Sequence, residues 1–333
     1  MTQKNIKNIL IVGGAGYIGS VLSRELEKNK YIKKIYILDK LIYKNQVFNK
    51  ELKKKSKIIF IKNDFRKFIN KKNTIIHKIS DVVMLAGLVG DPITKKYPVV
   101  SRKINEEGIK KFIIKINSYK NIDKFIFIST CSNYGILKNK IANENSQLNP
   151  QSLYAKSKVK IEKFLLRNKK IKFKTCILRF ATAFGLSPRM RYDLTLNQFC
   201  LEAIKKKKID IYDSLTWRPY CHVLDFSRVT EKIIFSNNYL INKQVFNVGS
   251  FINNSRKIDI AKKIQKKLKF CKIFNLKNSS DPRDYRVSFE KLNNKLGIKP
   301  KYSIMFGINE IIKAIKKQPK LSKDIGNFSI NQK

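Results

Sequence analysis

Short apolar runs alternate with amphipathic stretches through the first half of the chain, the pattern of a parallel sheet covered by helices on both faces. Strands are predicted at Asn8–Val12, Lys34–Leu38, Lys57–Ile61, Asp81–Leu85, Lys124–Ser129 and Lys174–Phe180. Between the first two, Ile18, Val21, Leu22 and Leu26 recur at helical spacing, so one face of that segment packs on the sheet as part of a βαβ unit. A further helix is predicted to begin at Asn149, with Pro150 in its first position, and to run to about Arg167. After Phe180 the alternation fades into a loop-rich region with isolated Arg, Pro and Trp217, until a strand at Gln244–Val248. The expected fold class is α/β: a doubly wound parallel sheet over 1–180 and a smaller C-terminal α/β region over 181–333 for substrate, with a segment near 220–250 returning to the sheet.

Charge changes this picture less than its size suggests. The 333 residues carry a formal net charge of +48, which would ordinarily point to nucleic acid or a membrane surface. Only 12 of the 72 basic residues are Arg, and the lysines accompany abundant Ile and Asn, as in an AT-rich genome. They are dispersed in short runs such as Lys53–Lys55 and Lys205–Lys208, with no interleaved aromatics to stack on bases. A solvated surface explains them, so no specific nucleic-acid partner is expected. The Lys-rich tail after Ile315 is expected to be mobile.

Five cysteines (131, 176, 200, 221 and 271) show neither CxxC nor CxxH spacing, so they are expected to be free thiols, with no metal site. No signal peptide, lipidation motif or apolar run of membrane-spanning length is evident, which points to a cytoplasmic protein without a membrane partner.

Candidate chemistry begins at the end of the first strand, where Gly13, Gly16 and Gly19 form a GxxGxxG turn entering a helix. Such glycines let the backbone approach a pyrophosphate, which then rests on the exposed N–H groups of the helix terminus. Taken alone the motif equally describes a ligand-free turn. Asp39, 20 residues past the last glycine and at the end of the second strand, is placed to bond both ribose hydroxyls of an adenosine. Its charge would repel a 2′-phosphate and favours NAD over NADP, although the adjacent Lys40 softens that discrimination.

Tyr154 and Lys158 stand four apart on the predicted helix, hence on one face. A Tyr hydroxyl must come down from ~10 to near neutrality to act as a base, at roughly 4 kcal/mol, and a nearby ammonium can supply much of that. In a helix this rich in Lys, the pairing alone is uninformative. Upstream, Ser129-Thr130-Cys131-Ser132-Asn133-Tyr134-Gly135 ends a strand in a hydroxyl-rich turn, and strand ends of such sheets face the ligand crevice.

Together these motifs resemble the extended short-chain dehydrogenase/reductase family, and within it the NAD-dependent nucleotide-sugar epimerases and dehydratases. The resemblance runs from the glycine turn through Ser129-Thr130, Tyr154xxxLys158 and Trp217-Arg218-Pro-Tyr-Cys-His222-Val-Leu-Asp225 to Asn294-Lys-Leu-Gly297-Ile-Lys-Pro300. It implies a Rossmann-fold, homodimeric enzyme that binds a nucleoside-diphosphate sugar. By position it makes Tyr154 the acid/base, Lys158 the group that depresses its pKa and holds the nicotinamide ribose, and Thr130 a partner of the reacting sugar oxygen. It assigns Gly13, Gly16, Tyr17, Ile18, Gly19, Asp39, Asp64, Phe65, Leu85, Ala86, Gly87 and Asn105 to the cofactor, and Arg218 and Arg283 to the substrate diphosphate. Arg189 and Arg191 are candidates for the same grip, though a solvated loop accounts for them equally well, and His222 reads as a structural residue.

The resemblance also separates reactions. Family dehydratases carry an acidic pair directly after the catalytic hydroxyl residue, where this chain has Cys131 and Ser132. Family 3,5-epimerases use a Cys two positions before the turn Tyr, where Ser132 stands. C4 epimerisation through a transient keto sugar needs only the triad, and a 4-ketoreductase would use the same residues. Thr182 replaces an Asn frequent among relatives, so substrate contacts there are expected to differ. The non-enzymatic alternative is a cofactor- or nucleic-acid-binding relative, but such relatives typically lose the Tyr or Lys kept here.

Overall fold

A computed structural model describes residues 6–43, 56–69, 74–276, 283–318, 326–327 and 329–330. The Lys53–Lys55 run, Asp281 and much of the tail after Ile315 lie outside the described residues.

Seven strands form one parallel sheet: β1 (Lys7–Val12), β2 (Ile32–Asp39), β3 (Ile58–Lys62), β4 (Asp81–Met84), β5 (Lys124–Thr130), β6 (Lys174–Phe180) and β7 (Gln244–Val248). Their spatial order is β7-β6-β5-β4-β1-β2-β3. The order reverses between β1 and β4, and a crevice opens there at the carboxyl ends of the strands, as in every doubly wound sheet. The apolar runs are continuous because both faces are covered: all four residues of β4 and all seven of β5 are buried. The fold is thus the α/β, Rossmann-like sheet that the alternating pattern implied.

Two apolar layers sandwich this sheet. One includes Ile9, Ile11, Leu22 and Leu26, the last two from helix α1 (Tyr17–Glu27), and the other includes Leu10, Val12, Phe112, Ile113 and Leu165. A third cluster, with Phe199, Ile209, Tyr220, Ile260 and Ile308, builds the region beyond β6. Tyr17 and Val21 of α1 belong to it, so the first helix joins both regions.

Beyond β6 the chain forms a small sheet in which Trp217–His222 lies between Thr182–Phe184 and Asn254–Arg256. This puts Arg218 and Thr182 on strands that border the crevice. β7 then pairs with β6 in parallel, Gln244 opposite Cys176 through Val248 opposite Phe180.

The helix expected from Asn149 begins later, as α2 (Leu153–Arg167), capped by Ser152 Oγ, which accepts from Ala155 N at 3.2 Å. Asn149 is occupied elsewhere. Its backbone N donates to Asn133 O at 2.9 Å, and its carbonyl packs against Gly135, where φ is +72° and any Cβ would collide with that oxygen. The turn after β5 therefore keeps Asn149 out of the helix and delays its start by about one turn.

All five cysteines are free and buried. His222 is fully buried, caps the helix Val223–Phe235 through an N–H bond from Leu224, and pairs with Glu310 at 2.6 Å. Among the described residues no helix is long and apolar enough to cross a membrane, and no cluster of His, Cys, Asp and Glu could hold a metal ion.

Candidate active site

The crevice is a cavity of about 490 Å³ walled by the ends of β1, β2, β4 and β5, by α2 and by loops of the second region. Its floor is the glycine turn. Gly13 adopts φ +83°, and a Cβ there would sit 2.6 Å from Ala86 N, so only glycine lets the β1 and β4 loops touch. Gly16 is the opposite case: its missing side chain meets only the Gly13 carbonyl, leaving the first N–H groups of α1 open to the cavity.

Asp39 borders this turn from the end of β2. Its carboxylate already accepts from Ala15 N at 3.0 Å and Leu41 N at 2.8 Å, and burial pushes its pKa up against those bonds. Asp64 caps the short helix Phe65–Phe68 and pairs with Arg66 at 2.5 Å; burial opposes its ionisation, but the Arg66 bonds prevail and hold its pKa below the usual range. An open helix terminus, a carboxylate at the next strand end and a cavity running between them fit a dinucleotide.

Across the crevice, α2 carries Tyr154 and Lys158 into the cavity wall. Lys158 Nζ donates to Ile128 O at 2.7 Å and lies 4.7 Å from the Phe127 ring centroid and 5.7 Å from that of Tyr154. Its burial pushes the ammonium down to about 8, partly offset by the Glu162 charge. Thr130 ends β5 and caps the turn Cys131–Tyr134, its Oγ1 accepting from Ser132 N at 3.1 Å. Thr130, Ser132, Tyr154 and Lys158 all line the same cavity.

The electrostatics differ from the expectation that Lys158 dominates the Tyr hydroxyl. Burial pushes Tyr154 up, and the leading opposing charge is the guanidinium of Arg191. Arg191 is buried, bound to Asp193 at 2.6 Å, and Arg189 stacks 5.1 Å from the Tyr43 ring. Neither is the solvated loop residue that the sequence allowed. On the substrate side, Arg283 pairs with Asp91 at 2.8 Å and reaches Ser132 Oγ at 3.4 Å, while Arg218 bonds the Arg283 carbonyl and stands 5.5 Å from the Tyr285 ring.

Of the residues singled out from sequence, Gly13, Gly16, Tyr17, Ile18, Gly19, Asp39, Asp64, Phe65, Leu85, Ala86 and Gly87 line the cavity. So do Thr130, Tyr154, Lys158, Thr182, Arg189, Arg191, Arg218 and Arg283. Asn105 does not. Its amide is clamped to Leu88, accepting from N at 2.8 Å and donating to O at 2.9 Å, so it shapes the β4 loop from behind. Sequence reasoning missed Tyr43, Asp91, Tyr285 and Asn327, which also border the cavity. No local motif marks them, because each reaches the site through a long-range fold contact.

Behind β5, outside the cavity, Glu162 accepts from Ser129 Oγ at 2.5 Å, Asn133 Nδ2 at 2.7 Å and Arg179 Nη2 at 2.7 Å. Arg179 continues to the Tyr134 hydroxyl at 2.9 Å, which donates to Asn247 at 2.7 Å. Cys131 belongs to this buried side as well: its thiol, pushed up by burial, donates to Arg179 O at 3.2 Å.

Comparison with known proteins places this geometry. A family model described as the NAD dependent epimerase/dehydratase family matches residues 9–249. A dTDP-D-glucose 4,6-dehydratase of Dictyostelium discoideum is 30% identical over 283 residues, covering 78% of this chain and 62% of that protein. A UDP-glucose 4-epimerase of Lactobacillus helveticus is 30% identical over 181 residues, 54% of this chain and 52% of that one. The fold superposes on a UDP-glucuronic acid 4-epimerase of Bacillus cereus in complex with UDP-glucuronic acid and NAD, with a TM-score of 0.82 at 23% identity, covering 93% of this chain and 99% of that one. A dTDP-glucose 4,6-dehydratase of Bacillus anthracis in complex with NAD gives 0.81 at 23% identity, over 95% and 100% of the two chains. The chain belongs to the NAD dependent epimerase/dehydratase family, with NAD as its cofactor.

Proposed function

We propose that this enzyme is a nucleoside-diphosphate-sugar epimerase that inverts a carbinol carbon, C4 of the sugar, through a transient keto sugar. The observation that carries the reading is the convergence of Thr130, Tyr154 and Lys158 on one cavity with no acid following Thr130 in the turn. NAD supplies the hydride acceptor and donor when bound in the glycine-turn half of the crevice. Tyr154 takes the C4 hydroxyl proton and returns it, and Thr130 orients the sugar oxygen. Arg191 is the leading charge opposing the burial that keeps the Tyr154 hydroxyl protonated, and Lys158 stands beside the Tyr154 ring in the same wall. Arg218 and Arg283 face the other end of the cavity, where a diphosphate would sit.

A dehydratase is the second reading, favoured by the Dictyostelium relative. Against it, Cys131 is withdrawn behind the sheet and Ser132 is a neutral hydroxyl, so neither can remove a sugar proton and expel water. Incubating the purified protein with a panel of nucleoside-diphosphate sugars, without added cofactor, decides between them. Appearance of the C4 isomer supports epimerisation. A 4-keto-6-deoxy product would replace it with dehydration, and turnover only of keto sugars with added reduced cofactor would replace it with reduction.

A further inference from the structure

The C-terminal segment returns to the crevice. Gly326 O accepts from Arg189 Nη2 at 3.2 Å, and Asn327 Nδ2 donates to Val89 O at 3.0 Å. Ile330 packs against the apolar layer beneath the sheet, which pins the segment a few residues further on. Asn327 is only 6% exposed and lines the cavity beside Tyr43, Arg189 and Asp39.

Among the described residues, two polar atoms in this corner lack partners: Asn327 Oδ1 is buried and accepts no hydrogen bond, and Arg189 Nε, on a residue 4% exposed, donates none. Unpaired buried polar atoms are costly, and these two belong to residues that line the same cavity, where a ligand can pair with them. One is an acceptor and the other a donor. A hydroxyl group satisfies both at once, since it donates one bond and accepts others. The corner also holds Asp39, whose charge interacts with Arg189.

We propose that Asn327 is a cofactor-binding residue, delivered by the C-terminal segment to a hydroxyl of the adenosine half of NAD, and that the segment slows release of the dinucleotide. The inference goes beyond the epimerase reading and does not depend on which sugar is converted. It explains why Arg189 is buried against another cation: its Nη2 holds the segment, its Nε remains for the ligand, and Tyr43 supports its plane. It also predicts slow cofactor exchange, as catalysis with a recycled NAD requires.

The test measures NAD carried by the purified enzyme and its release rate after transfer to cofactor-free buffer, for the full chain, Asn327→Ala and a chain ending at Ile325. Asn327→Ala is expected to speed release about tenfold, the equivalent of one hydrogen bond to a buried group, and the shortened chain more. For Asn327→Ala, the increment in melting temperature produced by NAD should shrink by more than the melting temperature of the NAD-free protein falls. Unchanged release in both variants would overturn the proposal. So would a fall in the melting temperature of the NAD-free protein with an intact NAD increment, which would mean that the segment only braces the fold.

Discussion

Two clusters of buried charge flank the end of β5, and they are built on opposite principles. Behind the strand, both oxygens of Glu162 and all three guanidinium nitrogens of Arg179 have protein partners. In the crevice, Arg189, Asp91 and Asn327 each keep a buried polar atom with no hydrogen bond among the described residues. The closed cluster ties α2 to β5, β6 and β7. The open one lines the cavity. Unpaired buried atoms also occur away from it, at Asn8 and Asn238 and at Asn133 Oδ1 beside the Glu162 network, so incomplete buried polarity marks a candidate ligand site only where it also borders the cavity.

The contrast can be broken in several ways. Tyr154→Phe removes the hydroxyl proposed to react, on the open side, and turnover should fall by roughly 10²–10⁴-fold while NAD content and melting temperature hold. Initial rates on the productive nucleotide sugar check this; wild-type rates would move Tyr154 out of the chemistry. Glu162→Ala, on the closed side, should do the reverse in kind, costing about 3–5 kcal/mol of stability by stranding Arg179 without its counter-charge. Urea unfolding reads this directly, and a loss below about 1 kcal/mol would show that the network relaxes.

Arg189→Met tests the open cluster more gently. It removes a buried cation that faces Arg191, so stability should change by less than about 1 kcal/mol, while NAD affinity drops about tenfold through the lost ligand bond. Calorimetric titration with NAD, beside a thermal melt, would show whether the two effects separate as expected.

The smallest effect concerns Lys158, which links the clusters. Burial lowers its pKa to about 8, so the folded protein sheds this proton before the unfolded chain does. Between about pH 8 and the ordinary Lys value the unfolded state binds more protons, and the residue's contribution to stability rises with pH. Lys158→Met should therefore gain melting temperature relative to wild type more at pH 7 than at pH 9.5. Equal differences at both would mean that Lys158 stays charged across the range.

The fold was legible because its signals are local and repeated. Continuous apolar runs such as Phe125–Ile128 can only be strands buried on both faces, and the glycine spacing at 13, 16 and 19 marks a strand-to-helix turn. The boundary of α2 was misplaced because Asn149 is a good local cap whose backbone is claimed by the distant turn at 133–135. Asn105 shows a similar effect: its position along the chain suits a cofactor contact, while in the fold its amide is bonded to Leu88.

By itself, the sequence determined the parallel sheet, the glycine turn and the pairing of Tyr154 with Lys158 on one helical face, since these follow from continuous apolar runs and from spacings of three and four residues. Only the tertiary structure decided that Arg191 is the leading cation opposing the burial of Tyr154, that Cys131 is withdrawn from the cavity, and that Asn327 reaches the cofactor crevice. Those are matters of which side of a strand a side chain takes and which distant segment fills a gap. They depend on packing between residues far apart along the chain, 48 positions for Cys131 with Arg179 and 137 for Arg189 with Gly326, for which a single chain carries no local code.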